Sequence, residues 1–230
     1  MKKFCDIFSD NSKKFFNPYE ASSPFVHKNR IQLLVAVVEY KTRLKETRKG
    51  TCSYWLSTLK PEDNLTIPIW IKKGSFNIEW SKPLICIGPG TGIAPFRSII
   101  NERIFKFNFK ENHLYFGCRS KNKDFYFENE WKNIRDEYPE HFCLHTAFSR
   151  DQPEKIYVQD LMLENSNSVF NLLENLDAYI LIAGNSKRMP QDVIAYLEKI
   201  VNENVSNEYL AKEYVKNLQT KKRIQMETWS

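Results

Sequence analysis

Residues 81–230 alternate short apolar runs with longer amphipathic stretches. The apolar runs predict four strands, at residues 84–87, 113–117, 142–148 and 178–183. The stretches that follow them predict four helices, at residues 95–107, 128–137, 158–164 and 190–202. Alternating strands and helices of this length are typical of a parallel sheet covered by helices on both faces. The sequence therefore predicts an α/β fold for this part of the chain.

The first eighty residues are less regular. Residues 31–40 and 65–72 are rich in β-branched and apolar side chains and predict strands, while residues 52–59, after Gly50, predict a short helix. The first twenty residues are polar and show no clear period, which indicates a poorly ordered leader. We therefore divide the chain into a leader (1–20), a small β-rich unit (21–80) and the α/β domain (81–230).

Composition and charge exclude several classes of protein. With 42% hydrophobic residues the chain can bury a core, and its net charge of +6 is spread along the sequence without the basic and aromatic interleaving of a nucleic-acid binder. Five cysteines without a C-x-x-C pair argue against a disulfide framework and a zinc site, and favour a reducing, cytoplasmic location. No apolar run is long enough to cross a bilayer.

A glycine-rich turn follows the first strand of the α/β domain. Gly88, Gly90 and Gly92 separate that strand from the helix near whose start Pro95 lies. Glycine permits positive φ angles and close backbone approach, and a helix start carries partial positive charge that favours phosphate. The spacing is neither G-x-G-x-x-G nor that of a P-loop. The turn predicts a dinucleotide cradle, with a purely structural tight turn as the alternative.

Polar or glycine-rich residues follow every predicted strand of the sheet. Ligands bind such sheets at the carboxyl ends of the strands. After the third strand, Ser149, Arg150, Lys155 and Tyr157 supply a hydroxyl, a guanidinium, an ammonium and a phenol, which together suit a phosphate monoester on a ribose. This group predicts NADPH rather than NADH. An ordinary solvated basic loop is the alternative.

Five motifs in sequence order give a resemblance to a known family. They are residues 88–97, residues 116–119, Ser149 and Arg150 with the Lys155-x-Tyr157-x-Gln159 run, residues 183–185 with 189–193, and the terminal Trp229 and Ser230. Together they resemble the ferredoxin-reductase-like module of diflavin reductases, a family that includes cytochrome P450 reductase. Residues 33–38, 42–46 and 227–230 resemble the branch of NADPH-dependent diflavin oxidoreductases that acts in cytosolic iron–sulfur assembly.

The resemblance covers roughly residues 21–230 and implies both a fold and binding roles. The implied fold is a ferredoxin-reductase-like NADP-binding domain, with a parallel sheet flanked by helices, preceded by a partial FAD-binding β-barrel. The residues implied to contact NADPH are Gly88, Gly90, Thr91 and Gly92 at the pyrophosphate, Ser149, Arg150, Lys155, Tyr157 and Gln159 at the 2′-phosphate and adenine end, and Cys118, Arg119 and Asp192 along the nucleotide. Cys118 is expected to be a contact rather than a nucleophile.

Further residues match the flavin side of the family. Gly50, Thr51, Cys52 and Ser53 match a loop that binds the FAD pyrophosphate at a helix start. Trp229 matches the aromatic residue that stacks on the isoalloxazine ring and moves aside for nicotinamide, although a terminal aromatic can equally be a packing plug. Glu227 stands where P450 reductases carry an aspartate near the flavin. The alternative is that it is an exposed carboxylate without a role in the reaction.

Several departures from the family pattern shape the expected function. Ala183 and Asn185 replace a cysteine and an aspartate of P450 reductases, so neither can titrate. The Arg-x-[Tyr/Phe]-Ser strand that should precede residues 21–24 is missing, as are most of the FAD barrel and the FMN domain. We therefore expect a C-terminal FAD/NADPH portion with a foreign leader, which binds NADP(H) and retains FAD weakly.

The resemblance implies a reaction sequence. Hydride would pass from NADPH to FAD, with Trp229 and Glu227 as the catalytic candidates. Electrons would then pass through FMN, in the intact enzyme, to an anamorsin-like iron–sulfur assembly protein. The alternative is a truncated, non-catalytic NADP(H)-binding or docking fragment. No metal, nucleic acid or membrane is expected.

Overall fold

The structure is a computed structural model that describes residues 19–43, 45–69 and 74–229. Ahead of the main sheet, these residues form two separate antiparallel strand pairs, one α-helix and a 3₁₀ turn at Pro61–Asp63. The elements are β1 (Tyr19–Glu20), β2 (Leu33–Leu34), β3 (Glu39–Lys41), β4 (Thr47–Lys49) and α1 (Thr51–Thr58), with β1 paired to β2 and β3 to β4. Within the described part of the chain, these pairs do not close into a barrel.

The predicted strand at residues 31–40 is interrupted. Between β2 and β3, the backbone of Val38 is hydrogen-bonded to the start of α1: the N–H of Gly50 donates to the Val38 carbonyl at 2.8 Å, and the N–H of Val38 donates to Ser53 Oγ at 3.0 Å. These two bonds satisfy the backbone N–H and carbonyl of Val38, which in a continuous strand would bond to a neighbouring strand. The predicted helix at 52–59 is confirmed as α1, which begins one residue earlier.

Two other predictions for the front of the chain fare differently. Residues 65–69 of the predicted strand at 65–72 are irregular, and residues 70–72 lie outside the described ranges. The predicted leader also lies outside them, except that Tyr19 and Glu20 form β1 and are thus part of the folded structure.

The main sheet has five parallel strands. They are β5 (Leu84–Ile87), β6 (Asn112–Cys118), β7 (Phe142–Phe148), β8 (Tyr179–Asn185) and β9 (Ile224–Trp229), in the spatial order β7-β6-β5-β8-β9. The chain moves outward from β5 to β7 and then returns to place β8 on the other side of β5. This change of direction creates a crevice between the carboxyl ends of β5 and β8, where sheets of this type bind ligands.

Helices cover both faces of the sheet. They are α2 (Ile93–Phe105), α3 (Lys121–Asp124), α4 (Glu128–Glu137), α5 (Val158–Glu164), α6 (Ser166–Asn175), α7 (Met189–Val205) and α8 (Glu208–Thr220). Ile85 and Ile87 of β5 pack with residues of α5 to α8, whereas Leu84 and Cys86 pack with residues of α2 and α4. Because β5 is buried on both faces, its sequence is apolar throughout. None of the helices in the described ranges is long and apolar enough to cross a membrane.

The predicted α/β fold is confirmed. Within residues 81–230, the predicted strands at 84–87 and 142–148 and helices at 128–137 and 158–164 have the observed bounds, and the other four predicted elements differ by one to three residues at their ends. The helices α3, α6 and α8 and the strand β9 were not predicted. β9 is an edge strand with a mixed polar sequence, so its pattern does not resemble that of the buried strands.

Buried Arg103 of α2 ties the sheet to the segment that enters it. The side chain is 0% exposed, and it donates from Nε to Asn112 Oδ1, from Nη1 to the Trp80 carbonyl and from Nη2 to the Lys82 carbonyl at 2.8 Å. Burial lowers the pKa of Arg103 to about 10, so the guanidinium stays charged at neutral pH. Carbonyl and amide oxygens therefore stabilise this cation.

His145 on β7 makes the stability of the fold dependent on pH. Its ring stacks on Tyr115 at 4.3 Å between centroids, and burial, followed by the neighbouring His113, lowers its pKa to about 4. Because the pKa of the unfolded chain is 6.5, the unfolded chain binds more protons between pH 6.5 and pH 4, and stability is lost as pH falls through that window.

A variant without this imidazole should be less sensitive to acid. The free energy of unfolding falls in both proteins between pH 7 and pH 4, and we expect the fall to be smaller in His145→Gln than in wild type by about 2 kcal/mol. This value is discounted because His145 is only partly buried.

Urea unfolding at both pH values, with both proteins, measures this difference. An equal loss of stability in the variant and the wild type would contradict it.

Candidate functional site

A cavity of about 790 Å³ opens at the carboxyl ends of β5, β6, β7 and β8, a size within the range of ligand pockets. It is lined by side chains and backbone from the loops that follow those strands. The predicted cofactor-binding residues that line it are Gly90, Thr91, Cys118, Arg119, Ser149, Tyr157, Gln159 and Asp192. The structure thus brings together residues that are more than 100 positions apart in the sequence.

The three glycines of the turn after β5 have different structural roles. Gly90 adopts a φ of +59°, and a Cβ there would have no atom within 4 Å, so its backbone faces open space. A Cβ at Gly92 would lie 2.0 Å from the Ala183 carbonyl oxygen, and one at Gly88 would lie 2.7 Å from the Phe96 ring. Gly88 and Gly92 are therefore needed for packing, whereas Gly90 leaves room for a ligand. The structural interpretation of the turn holds for Gly88 and Gly92, and the dinucleotide cradle remains a prediction, for which Gly90 leaves room.

The turn leads directly into α2. Residues 90–92 form one 3₁₀ turn that continues as the helix, and Thr91 is only partly buried at the cavity. The first N–H groups of a helix have no partner within it and carry partial positive charge. This end of the cavity therefore suits a phosphate or pyrophosphate group.

Hydrogen bonds beyond the strand ends order the loops after β6 and β7. The N–H of Ser149 donates to the Cys118 carbonyl at 3.0 Å, and the N–H of Arg150 donates to the Arg119 carbonyl at 2.9 Å. The N–H of Lys121 donates to Asp151 Oδ2 at 2.8 Å, a bond that lowers the pKa of this carboxyl. These bonds hold Ser149 and Arg119 at the cavity.

Arg150 and Lys155 do not belong to the cavity lining. Both side chains are exposed, on the loop between β7 and α5 that also carries Ser149. Their predicted contact with a 2′-phosphate remains a prediction. It requires that these flexible cationic side chains reach a ligand from the rim.

Asp160 fixes the start of α5 and thereby the place of Tyr157. Its Oδ2 accepts from the Tyr157 N–H at 2.8 Å, and its Oδ1 accepts from the Tyr196 hydroxyl at 2.9 Å. The Tyr157 side chain remains 44% exposed at the cavity, and Gln159 lies almost buried beside it. A phenol held in this way can donate a hydrogen bond or cover a planar ring.

The cavity has more basic than acidic side chains in its lining. Arg119, Lys187 and Arg188 are basic, and Asp124 and Asp192 are acidic. Arg119 Nε lies 3.3 Å from Asp124 Oδ2, so part of its charge is already compensated. The remaining excess of positive charge favours an anionic ligand.

Sequence reasoning missed Lys187 and Arg188. They lie in the loop after β8, separated from the strand by Ser186, and the N–H of Lys187 donates to Asn185 Oδ1 at 2.9 Å in a tight turn. The rule that ligands bind after the strands applies to this loop as well, so the sequence did contain the information that could have identified them.

Cys118 is protonated at neutral pH. Burial, followed by the nearby Asp124 and Asp151, raises the pKa of its thiol to about 11, and the Sγ donates to the Ser120 carbonyl at 3.5 Å. Because the thiolate is the nucleophilic form, the raised pKa argues against a nucleophilic role for Cys118, and its contact with a nucleotide remains a prediction.

The predicted FAD loop lies away from the cavity lining, at the start of α1. Ser53 is 2% exposed, and its hydroxyl donates to the Gly50 carbonyl at 3.3 Å and accepts from the Val38 N–H at 3.0 Å. That hydroxyl is already used by the fold and is not directed at a ligand. Thr51 is exposed in the first turn and Cys52 is half-buried, so Thr51 and the N–H groups of the helix start are the groups that fit a flavin phosphate.

The predicted catalytic residues Glu227 and Trp229 lie on β9. Glu227 accepts a hydrogen bond from the Ser75 hydroxyl. Trp229 is partly buried, packs against Ala21 and Ala94, and pairs with Asn185 across the ladder. Because Asn185 lines the cavity, Trp229 lies on the strand next to the rim of the cavity.

In the part of the chain that the structure describes, no cluster of His, Cys, Asp or Glu could hold a metal ion.

Comparison with known proteins gives two findings. Residues 86–194 match the family model for the oxidoreductase NAD-binding domain. The chain is also similar to proteins named NADPH-dependent diflavin oxidoreductase 1: it is 45% identical to that of Xenopus laevis over 213 residues and 39% identical to that of Arabidopsis thaliana over 221 residues. It is 41% identical to that of Schizosaccharomyces pombe over 205 residues.

These similarities cover most of this chain and a smaller share of each relative. They extend over 91% of the chain for the Xenopus and Arabidopsis proteins and 86% for the yeast protein. The same alignments cover 35%, 35% and 34% of the three relatives. The chain therefore spans about a third of the length of the curated relatives that it matches.

The packing of Gly92 against β8 predicts a loss of stability on substitution. We expect Gly92→Ala to lower the free energy of unfolding by about 1–3 kcal/mol, since the added Cβ would overlap the Ala183 carbonyl oxygen. Gly74→Ala is the control, because a Cβ there meets nothing within 4 Å. Urea unfolding measures both, and a Gly92→Ala midpoint equal to that of wild type would contradict the packing role.

Proposed function

Because this chain belongs to the NADPH-dependent diflavin oxidoreductase family, we propose that it binds NADPH in the cavity and passes hydride from it to FAD. One observation carries the first half of this proposal. The cavity joins an open glycine turn at a helix start to hydroxyl and basic side chains at the ends of three further strands. A dinucleotide with a pyrophosphate and a further phosphate needs this combination.

The proposal assigns the parts of NADPH to different walls of the cavity. The pyrophosphate lies at Gly90 and Thr91, the first residues of the 3₁₀ turn that leads into α2, where their backbone N–H groups and the partial positive charge of the helix start favour an anion. The 2′-phosphate lies near Ser149 and Tyr157, with Arg150 and Lys155 reaching it from the rim. Selection of NADPH over NADH then depends on charged hydrogen bonds that the 2′-hydroxyl of NADH cannot make with equal strength.

The chain's own residues bind and orient the two coenzymes rather than perform proton chemistry. FAD, when bound, supplies the acceptor for the hydride. Ala183 and Asn185, at the end of β8, have no group that titrates. Trp229 on the neighbouring strand controls access of the nicotinamide ring, and Glu227 contributes negative charge beside it. Accurate placement of two reacting rings accounts for a large part of the rate of such a reaction.

The later electron route is proposed from the family. Electrons leave through FMN in the intact enzyme and reach an anamorsin-like iron–sulfur assembly protein in the cytoplasm. The diflavin name of the relatives supports the use of two flavins. Reduction of a purified [2Fe–2S] acceptor by the full-length protein, with NADPH and both flavins, tests this route. A lack of acceptor reduction while ferricyanide is reduced would contradict it.

A second candidate function is an NADP(H)-binding or docking fragment without its own flavin. The internal hydrogen bonds of Ser53 and the short, separate strand pairs of the described front segment favour it. Ferricyanide reduction by NADPH, with and without added FAD, separates the two candidates. Reduction that depends on FAD supports the reductase, and no reduction with FAD present supports the fragment.

The strength of FAD binding by this chain is directly measurable. We expect weak binding, because in the predicted FAD loop at residues 50–53 only Thr51 and the N–H groups at the start of α1 fit a flavin phosphate. The visible spectrum of the purified protein reports bound flavin. A stoichiometric flavin band would contradict weak binding and show a larger contribution from residues 50–53 and Trp229.

Arg150 provides a test of phosphate recognition. We expect Arg150→Ala to weaken NADPH binding by about 10- to 100-fold, since one charged hydrogen bond contributes about 1.5–3 kcal/mol. NADH binding should barely change. Arg43→Ala, at another exposed arginine outside the cavity lining, is the control. Calorimetric titration with both coenzymes measures the effect, and equal weakening of both would show that Arg150 supports the fold instead.

Trp229 provides a test of the nicotinamide gate. With FAD supplied, we expect Trp229→Ala to raise the ratio of NADH to NADPH turnover by about tenfold. The contacts of the 2′-phosphate offset the cost of displacing the ring for NADPH but not for NADH, so removal of a cost of about 1.4 kcal/mol raises turnover mainly with NADH. Ferricyanide reduction with each coenzyme measures the ratio. An unchanged ratio would mark Trp229 as a packing residue.

A further inference from the structure

Arg97 of α2 is a buried cation held by an acidic partner on a different helix. Its side chain is 6% exposed, and Nε lies 2.9 Å and 2.8 Å from the two carboxylate oxygens of Glu130 on α4, with Nη2 at 2.8 Å from Oε2. Paired, hydrogen-bonded ions of this kind have a fixed geometry. The guanidinium therefore has one well-defined orientation.

The remaining donors of Arg97 hold the segment that precedes the main sheet. Nη1 donates to the Ala21 carbonyl and to Gln32 Oε1, both at 2.7 Å, and Nη2 lies 2.9 Å from His27 Nε2. Ala21 and Gln32 are themselves bonded, because the Ala21 N–H donates to the Gln32 carbonyl at 2.7 Å. Arg97 thus fixes both ends of the 21–32 loop on α2.

Arg97 also contacts two of the residues that surround Trp229. Its guanidinium carbon lies 4.4 Å from the centroid of the Phe127 ring, a cation–π distance. Phe127, Trp229 and Leu34 pack against the buried pair Ala21 and Ala94. A single side chain therefore holds Ala21 by its carbonyl and Phe127 by its ring. We call Ala21, Leu34, Ala94 and Phe127 the Trp229 seat.

We propose that Arg97 is a positioning residue for the proposed hydride transfer: it fixes the Trp229 seat and so sets where the Trp229 ring rests at the rim of the NADPH cavity. The catalytic consequence rests on the proposed function, whereas the hold on the seat does not. Arginine is needed because its planar guanidinium donates hydrogen bonds to Glu130, Ala21 and Gln32 at once, which a lysine ammonium cannot do.

Arg103 is a matched control for the loss of a buried arginine. It lies on the same helix and is 0% exposed, and it holds the carbonyls of Trp80 and Lys82 rather than the 21–32 loop. A substitution there removes a buried charge of the same type without touching the Trp229 seat. Comparison of the two positions separates positioning from general stability.

Hydrogen–deuterium exchange of the whole chain tests the hold on the seat. We expect Arg97→Met to speed exchange by about tenfold or more in peptides from 21–34 and 224–229, and at the Ser186 amide that bonds to the Trp229 carbonyl. Arg103→Met should leave these peptides near wild type and speed exchange at 80–84 and 110–113. Arg97→Lys should not restore slow exchange at 21–34.

Equal exchange at 224–229 in Arg97→Met and wild type would overturn the proposal. If Arg97→Met speeds hydrogen exchange throughout the protein, a milder variant is used in its place. That variant is Gln32→Ala, which removes one acceptor of Arg97. Faster exchange in Gln32→Ala confined to 21–34 and 224–229 supports the proposal, and exchange there equal to wild type overturns it.

Coenzyme preference tests the catalytic consequence separately. With FAD supplied, Arg97→Met should shift the NADH-to-NADPH turnover ratio in the same direction as Trp229→Ala, and the double variant should show no further shift, because coupled residues are not additive. Additive shifts would contradict the positioning role. Local loosening at 224–229 with an unchanged ratio supports the hold of Arg97 on the seat and contradicts the gate that the proposed function assigns to Trp229.

Discussion

The site depends on the close approach of the Gly92 turn to the end of β8. A side chain at Gly92 would overlap the Ala183 carbonyl, so only glycine lets the start of α2 lie over the crevice between β5 and β8. Gly90 and Thr91, which precede Gly92 in the same 3₁₀ turn, then lie at the cavity, with Gly90 facing open space. Because the ends of β6 and β7 lie in the same sheet, their loops bring Arg119, Ser149 and Tyr157 to the same cavity.

Much of this arrangement could be predicted from the sequence, and the successes and misses have physical reasons. β5 is buried on both faces, and its short, wholly apolar sequence predicts a buried strand, so its bounds were predicted correctly. β9 is a polar edge strand, whose place in the sheet depends on β8 and not on its own sequence pattern. The strand predicted at 31–40 is interrupted by hydrogen bonds from the start of α1, which lies more than ten residues away in the sequence. The strand-end rule found Ser149 and Arg119, and a stricter application would have found Lys187 and Arg188. The internal role of Ser53 depends on Val38 and was not visible in the motif.

Two buried arginines of α2 connect the sheet domain to what precedes it. Arg103 holds the segment that enters β5, and Arg97 holds the 21–32 loop beside Trp229. The helix that follows the glycine turn therefore also positions the 21–32 loop. This gives a physical link, through packed residues and charged hydrogen bonds, between the helix that follows the glycine turn and the residues against which Trp229 packs.

The central claim is that the loops after the parallel strands jointly bind NADPH. Amide chemical shifts of isotopically labelled protein, recorded while NADP⁺ is added, test it most directly. The account predicts saturable shifts for residues 88–92, 117–119, 149–159 and 185–189, with residues 51–53 and 199–220 unchanged. The absence of shifts in well-folded protein, or shifts confined to residues outside the four loops, would contradict the account.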